Sequence, residues 1–176
     1  MSGELRRLFG ADQADRQTLV VAGTPEYKRL RERDTQRRQR VTALVADGAL
    51  DEADDYYQAA MILHHGETLD DIWQAHTLAS AAADRGLHSA RWLAAAALDR
   101  WLMYQGKPQK YGTQIVPDGT RWRVWITDPT TTDADRTAAD VPPLAEQLER
   151  AEAMTDPQPP MEEAPTWLKD ALERWR

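Results

Sequence analysis

Apolar residues recur at helical spacing through the first hundred positions, and glycine or proline breaks the runs where helices should start and stop. Thr24-Pro25-Glu26 opens one such run: threonine caps, proline fits the first turn, and glutamate favours the positive end of the helix dipole. This second helix should reach Asp47 and stop at Gly48. Asp51 is the expected cap of a third, running to His65, with Tyr56, Tyr57, Ala60, Met61 and Leu63 apolar and Gly66 ending it. Thr68 caps a fourth, with Leu69, Ile72, Trp73 and His76 facing inward and Gly86 as its stop. Ser89 starts a fifth, in which Trp92, Leu93, Leu98, Trp101 and Leu102 flank four alanines at 94–97, and Gly106 closes it.

The pattern then changes. Gln114, Ile115 and Val116, a turn at Pro117-Asp118-Gly119, and residues 121–126 read as a β-hairpin, with Trp122, Val124 and Ile126 alternating against Arg121, Arg123 and Trp125. A loop at 128–132 leads to a short helix at 133–139 and another at 143–154. Residues 155–165, rich in proline and acid, are the clearest linker. Beyond it Trp167, Leu168, Ala171, Leu172 and Trp175 mark one face of an amphipathic tail helix, which either docks on a partner or, the favoured reading, folds back on the chain. The expected fold is therefore mainly α. It is a compact helical bundle at 1–154 with one small β-hairpin at about 114–127, then the linker and a tail at 166–176. The third to fifth helices also resemble tetratricopeptide or Sel1 helix pairs, though one and a half units fall short of the roughly three a solenoid needs.

Composition narrows the classes. Charged residues make up 29% of the 176, and no apolar run is long enough for a membrane span. The first residues carry charges where a secretory leader needs an apolar core, so the cytoplasm is the expected location. The chain has no cysteine, which removes disulfides and thiolate chemistry together. A net charge of −7 argues against broad nucleic-acid binding. Lys28, Arg29, Arg31, Arg33, Arg37, Arg38 and Arg40 nevertheless crowd one helix, relieved by Glu32 and Asp34, and are expected to meet acidic neighbours.

Phosphate-binding glycine loops, serine nucleophile elbows and His-Glu-x-x-His pairs are absent from the sequence. What remains is His64-His65, Asp99-Arg100 inside an apolar run, and the stretch GKPQKYGTQ at 106–114. Adjacent histidines diverge by about 100° on a helix and cannot easily share a metal, so a metal site would need one of them with His76, His88 or Asp99 from another helix. A satisfied polar or capping histidine is the commoner case, and neither a metal nor another cofactor is expected. His65 suits general-base work near neutral pH. Asp99 must find partners, either in a structural ion pair or by orienting a histidine or substrate. Between Gly106 and Gly112 lie more donors than a surface turn needs, which either pin the hairpin to the bundle or read a ligand.

The order Asp12-Gln13…Arg16, Asp34…Val41…Leu44…Gly48, His65, Asp99-Arg100, GKPQKYGTQ, Asp128-Pro129 and Pro142-Pro143-Leu144 resembles a bacterial domain family with no established activity. That family is marked by DQ-x-x-R, Gln-His, Asp-Arg and G-K-x-Q-x-Y-G-T/S-Q. The likeness spans roughly residues 12–154, and His64 stands where the family has glutamine. It implies a fold and a site location, not a reaction.

Two readings follow. In the first, the protein binds a small molecule or is a metal-independent hydrolase or transferase with a polar pocket near the loop. His65, Asp99 and Tyr111 would be its catalytic groups, and Arg100, Lys107, Gln109 and Gln114 would hold the ligand. In the second, it is a non-enzymatic interaction protein, of accessory or immunity type, with a protein partner.

Overall fold

The structure, a computed structural model, describes residues 2–18, 20 and 23–175; the side chains of Ser2, Glu163, Arg174 and Trp175 are outside it, and with them the expected place of Trp175 on the tail. Five helices come first: α1 (Ser2–Ala14), α2 (Pro25–Ala46), α3 (Ala53–His64), α4 (Leu69–Asp84) and α5 (Ser89–Tyr104). A two-stranded antiparallel hairpin follows, β1 (Ile115–Pro117) and β2 (Trp122–Val124). Then come α6 (Asp133–Ala138), α7 (Leu144–Ala153), a 3-10 turn at Met161–Glu163 and α8 (Thr166–Trp175). This is the mainly helical bundle with one small hairpin that the pattern predicts. No helix among the described residues is long and apolar enough to cross a membrane.

Local chemistry explains most of the boundaries. Thr24 and Thr68 accept the backbone N–H groups of Tyr27 and Asp71, so both predicted caps form. For α3 the cap is Glu52 rather than Asp51, because Glu52 and Asp55 close a reciprocal capping box. Gly66 ends α3 for a steric reason: a Cβ there would sit 2.4 Å from the Cβ of Asp71, so only glycine lets α4 begin so close.

Two cores result. The first joins α1 to α5 through Leu5, Val41, Leu44, Ile62, Leu63, Leu78 and Leu93, with Ala59, Ala60, Ala75, Ala79 and Ala97 letting the helices approach. Ile72, Ala75, Leu78, Ala79 and Ala82 form the buried face of α4. Leu69 and Trp73, expected to point inward, are 41% and 45% exposed, since each lies a quarter-turn or more off that face. The second core gathers Met103, Val116 and Trp125 with Leu168 and Ala171, so α8 folds back onto the hairpin and the end of α5.

The hairpin also departs from its predicted alternation. Trp125 is buried, whereas Ile126 is exposed. The ladder ends at Val124, and Trp125 turns in, its backbone N–H donating to Gln114 and its indole Nε1 to the carbonyl of Lys107. The next residues run on to a parallel bridge between Gln109 and Thr127. Asp118 closes the turn by accepting from the backbone of Thr120 and Arg121.

Candidate functional site

The stretch at 106–114 is organised around Asp99, which is fully buried in α5. Its carboxylate accepts four hydrogen bonds from the loop: the backbone N–H of Lys110 (2.7 Å), Tyr111 (2.9 Å) and Thr113 (3.0 Å), and the Thr113 hydroxyl (2.8 Å). Burial still outweighs these bonds and pushes the carboxyl above its ordinary value. Gln109, also fully buried, donates to the carbonyls of Gln114 and Trp125 and accepts from the Gln114 N–H. Gln114 donates to the Ala96 carbonyl of α5. The carbonyl of Tyr111 accepts from Arg136 of α6 and Gln147 of α7. Gly112, at φ +93°, makes that clamp possible: a Cβ would meet Gln147 Nε2 at 3.1 Å. No buried side-chain nitrogen or oxygen of residues 106–114 is left without a partner.

His65 stands elsewhere. Its Nδ1 lies 3.2 Å from the carboxylate of Asp12 in α1, not near Asp99. Asp99 and Arg100 are neighbours on a helix and so diverge by about 100°. Asp99 faces the hairpin loop, while Arg100 reaches the α3–α4 turn, donating to the Gly66 carbonyl (3.4 Å) and the Tyr104 hydroxyl (3.1 Å). Of the seven predicted site residues, the fold brings His65 and Arg100 to the same turn and gathers Asp99, Gln109 and Gln114 into the loop network. Lys107 is exposed, its Nζ on Gln105 and 5.5 Å from the ring centre of Trp101. Tyr111 lines a separate groove of about 320 Å³ beside His76, Ser80 and Arg91.

The cluster around His65 is built from α1, α2 and the end of α3. Asp12 and Asp34 are each only 1% exposed. Arg16 pairs with Asp12 at 2.9 Å and with Asp34 at 3.1 Å. Asp34 also accepts from Arg31 (3.2 Å) and Arg37 (2.6 Å), so one carboxylate bridges three arginines. Burial raises the Asp34 carboxyl, but the Arg37 hydrogen bond and the charges of Arg16 and Arg31 together hold it below its usual value. Arg31 further donates to the His65 carbonyl (3.1 Å), so Arg31 and Arg100 both serve the negative end of α3.

This cluster is not closed. Nε of Arg31 and Arg100 and Nδ1 of His64 are buried without a hydrogen-bond partner among the described residues, while Nε of Arg37 reaches only a long ion pair with Asp12 at 3.8 Å. Burial lowers the pKa of His65, Asp12 pulls it back up through hydrogen bond and charge, and Arg16 and Arg100 push it down again, for a net fall. His64 is driven well below its ordinary value by burial, then by Arg100, His65 and Arg16. Both imidazoles are therefore neutral at pH 7. Among the described residues no three His, Asp or Glu side chains are grouped to hold a metal ion.

Asp12, Arg16, Arg31, Asp34 and Arg37 were not singled out as site residues from sequence. A usable signal is there: Arg31, Asp34 and Arg37 sit three residues apart on one helix face, and Asp12 and Arg16 sit four apart. Compared with protein-family models, curated proteins and solved structures, the chain matches none.

Proposed function

We propose that the protein binds a small molecule beside the Asp12–His65 pair and acts on it by metal-independent hydrolysis or group transfer. The observation that carries this reading is the contact between His65 Nδ1 and a buried carboxylate, in a ring of arginines that leaves donors unpaired. Asp12 already accepts from Gln13 and Arg16, so it is an acceptor towards Nδ1–H. That tautomer leaves the lone pair on Nε2 for a substrate. A neutral imidazole so held takes a proton from water or a substrate hydroxyl as that oxygen attacks an acyl or phosphoryl centre; the bond to the leaving group breaks, and the imidazolium returns the proton to the departing group. Arg31 and Arg100 stand where negative charge on that centre can be countered. Asp99, Gln109 and Gln114 hold the hairpin and loop in place. On this reading the motifs of the family the chain resembles divide into a reacting cluster and a frame.

The test is a screen of model esters, amides and phosphoesters, comparing wild type with His65→Ala and Asp12→Asn. Turnover should fall by about a hundredfold or more in either variant, with the circular dichroism spectrum retained. Activity should also decline in acid, with its midpoint below the ordinary histidine value, because protonating His65 removes the base and burial lowers the pH at which that happens. Turnover unchanged in both variants would overturn the assignment.

A second reading, a protein-interaction surface, is favoured by one observation. Trp73 is 45% exposed and packs 4.8 Å from Trp101, with exposed Leu69 one turn away. Cross-linking in cells should then capture a partner with wild type and lose it with Trp73→Glu.

A further inference from the structure

The polar cluster borders an apolar space. A cavity of about 650 Å³ lies between the bundle and the C-terminal segment, walled on that side by Met161, Ala164, Trp167 and Leu168. Ligand pockets span roughly 300–1,000 Å³ and combine apolar walls with a few polar groups. Here two of the polar groups are Glu67 and Tyr104, and both lead to the cluster. Glu67 lies 2.8 Å from Nη2 of Arg31, whose Nη1 donates to the carbonyl of His65. The Tyr104 hydroxyl accepts from Arg100, which also reaches the carbonyl of Gly66. Arg31 and Arg100 do not line the cavity themselves but lie directly behind Glu67 and Tyr104, on the side of the turn that carries His65. The Nε of each is buried and lacks an acceptor. Buried guanidinium donors are satisfied when a ligand brings oxygen atoms to them.

We infer that this cavity holds the apolar body of the ligand, and that the ligand carries at one end an anionic oxygen group, a carboxylate or phosphate, bound by Arg31 and Arg100. The inference rests on the reading of Asp12 and His65 as the reacting pair. The side chain of Glu67 is 60% exposed, so it can swing off Arg31 as the anionic head arrives. The segment at 159–168 then forms a wall of the binding site and selects ligands by the size of their apolar part.

The experiment uses the full chain and two amphiphiles, 3-phenylpropionate and phenyl phosphate, against their heads alone, acetate and inorganic phosphate. Calorimetric titration should show at least one amphiphile binding about tenfold or more tighter than its head alone, and the better of the two identifies the head group. Ala164→Trp, which fills the cavity, and Arg100→Gln should each weaken that binding by about tenfold. Hydrogen exchange on wild type provides a readout independent of any variant's folding: the bound amphiphile should protect residues 159–168. Equal affinity for amphiphile and head, or no protection of that segment, overturns the inference. His65→Ala separates the two readings. If it loses turnover while the cavity variants leave binding unchanged, only the cavity assignment fails. If it keeps turnover while the cavity variants weaken binding, only the catalytic assignment fails.

Discussion

The loop after α5 and the turn after α3 each meet a cluster of polar side chains, but the two clusters differ in what is left over. Around Asp99 each carboxylate oxygen takes two donors, and Gln109 and Gln114 bond to carbonyls of the hairpin and α5. Around His65 the carboxylates of Asp12 and Asp34 are shared among arginines, and several guanidinium nitrogens remain buried without acceptors. The two buried carboxylates even shift in opposite directions: Asp99 upward through burial, Asp34 downward through its arginines. A polar network with every group satisfied fixes a fold, whereas one with unmet donors has capacity for a ligand.

The comparison makes unequal demands on stability. The largest effect should come from Asp99→Ala, which strands three backbone N–H groups in the interior and should cost about 3–5 kcal/mol in urea unfolding. A loss under about 1 kcal/mol would mean the loop does not depend on that carboxylate. Gln109→Leu comes next, at about 2–4 kcal/mol, because the side chain bonds both the loop and the hairpin. A smaller change would show that Trp125 alone secures the hairpin.

Acid sensitivity sharpens the other half. His64 and His65 have pKa values lowered from 6.5 in the fold, so the unfolded chain binds protons more readily. Their contribution is present above pH 6.5 and is lost as pH falls below it towards the folded values. Asp34, lowered from 3.8, adds a further loss only below about pH 4. Asp99, raised from 3.8, acts in the opposite sense and regains stability as it takes up its proton, so the test is the difference between chains. Urea midpoints measured from pH 7.5 to 5 should fall less steeply for His64→Gln than for wild type. An unchanged slope would mean that His64 is not held neutral by its surroundings. The smallest effect is expected from Tyr111→Phe, within about 0.5 kcal/mol of wild type, since the loop uses the tyrosine backbone and not its hydroxyl. A greater loss would bring the ring into the frame.

Much of the architecture was legible because helix caps, glycine stops and proline-rich linkers act through near neighbours. Thr24 and Thr68 cap as read, and residues 115–124 pair as a hairpin. Where the reading slipped, a distant contact decided. Trp125 is buried because Lys107 and the tail helix receive it, and Leu69 and Trp73 are exposed because the wide alanine face of α4 already fills the interior.

The candidate site divides in the same way. From residue types alone, Asp99-Arg100 and GKPQKYGTQ stood out as polar groups within or beside apolar runs, and His65 as a base suited to neutral pH. Their assignment to one pocket could not follow, because residue spacing does not say which helix meets which. Asp12 meets His65 across 53 positions of chain, and Arg31 meets its carbonyl across 34. The sequence by itself determined the helices, their ends and the stock of polar groups, since these depend on spacing and local hydrogen bonding. Only the packing of α1 and α2 against the end of α3 decided which of those groups were satisfied and which were left open, because that depends on distances set by the whole core.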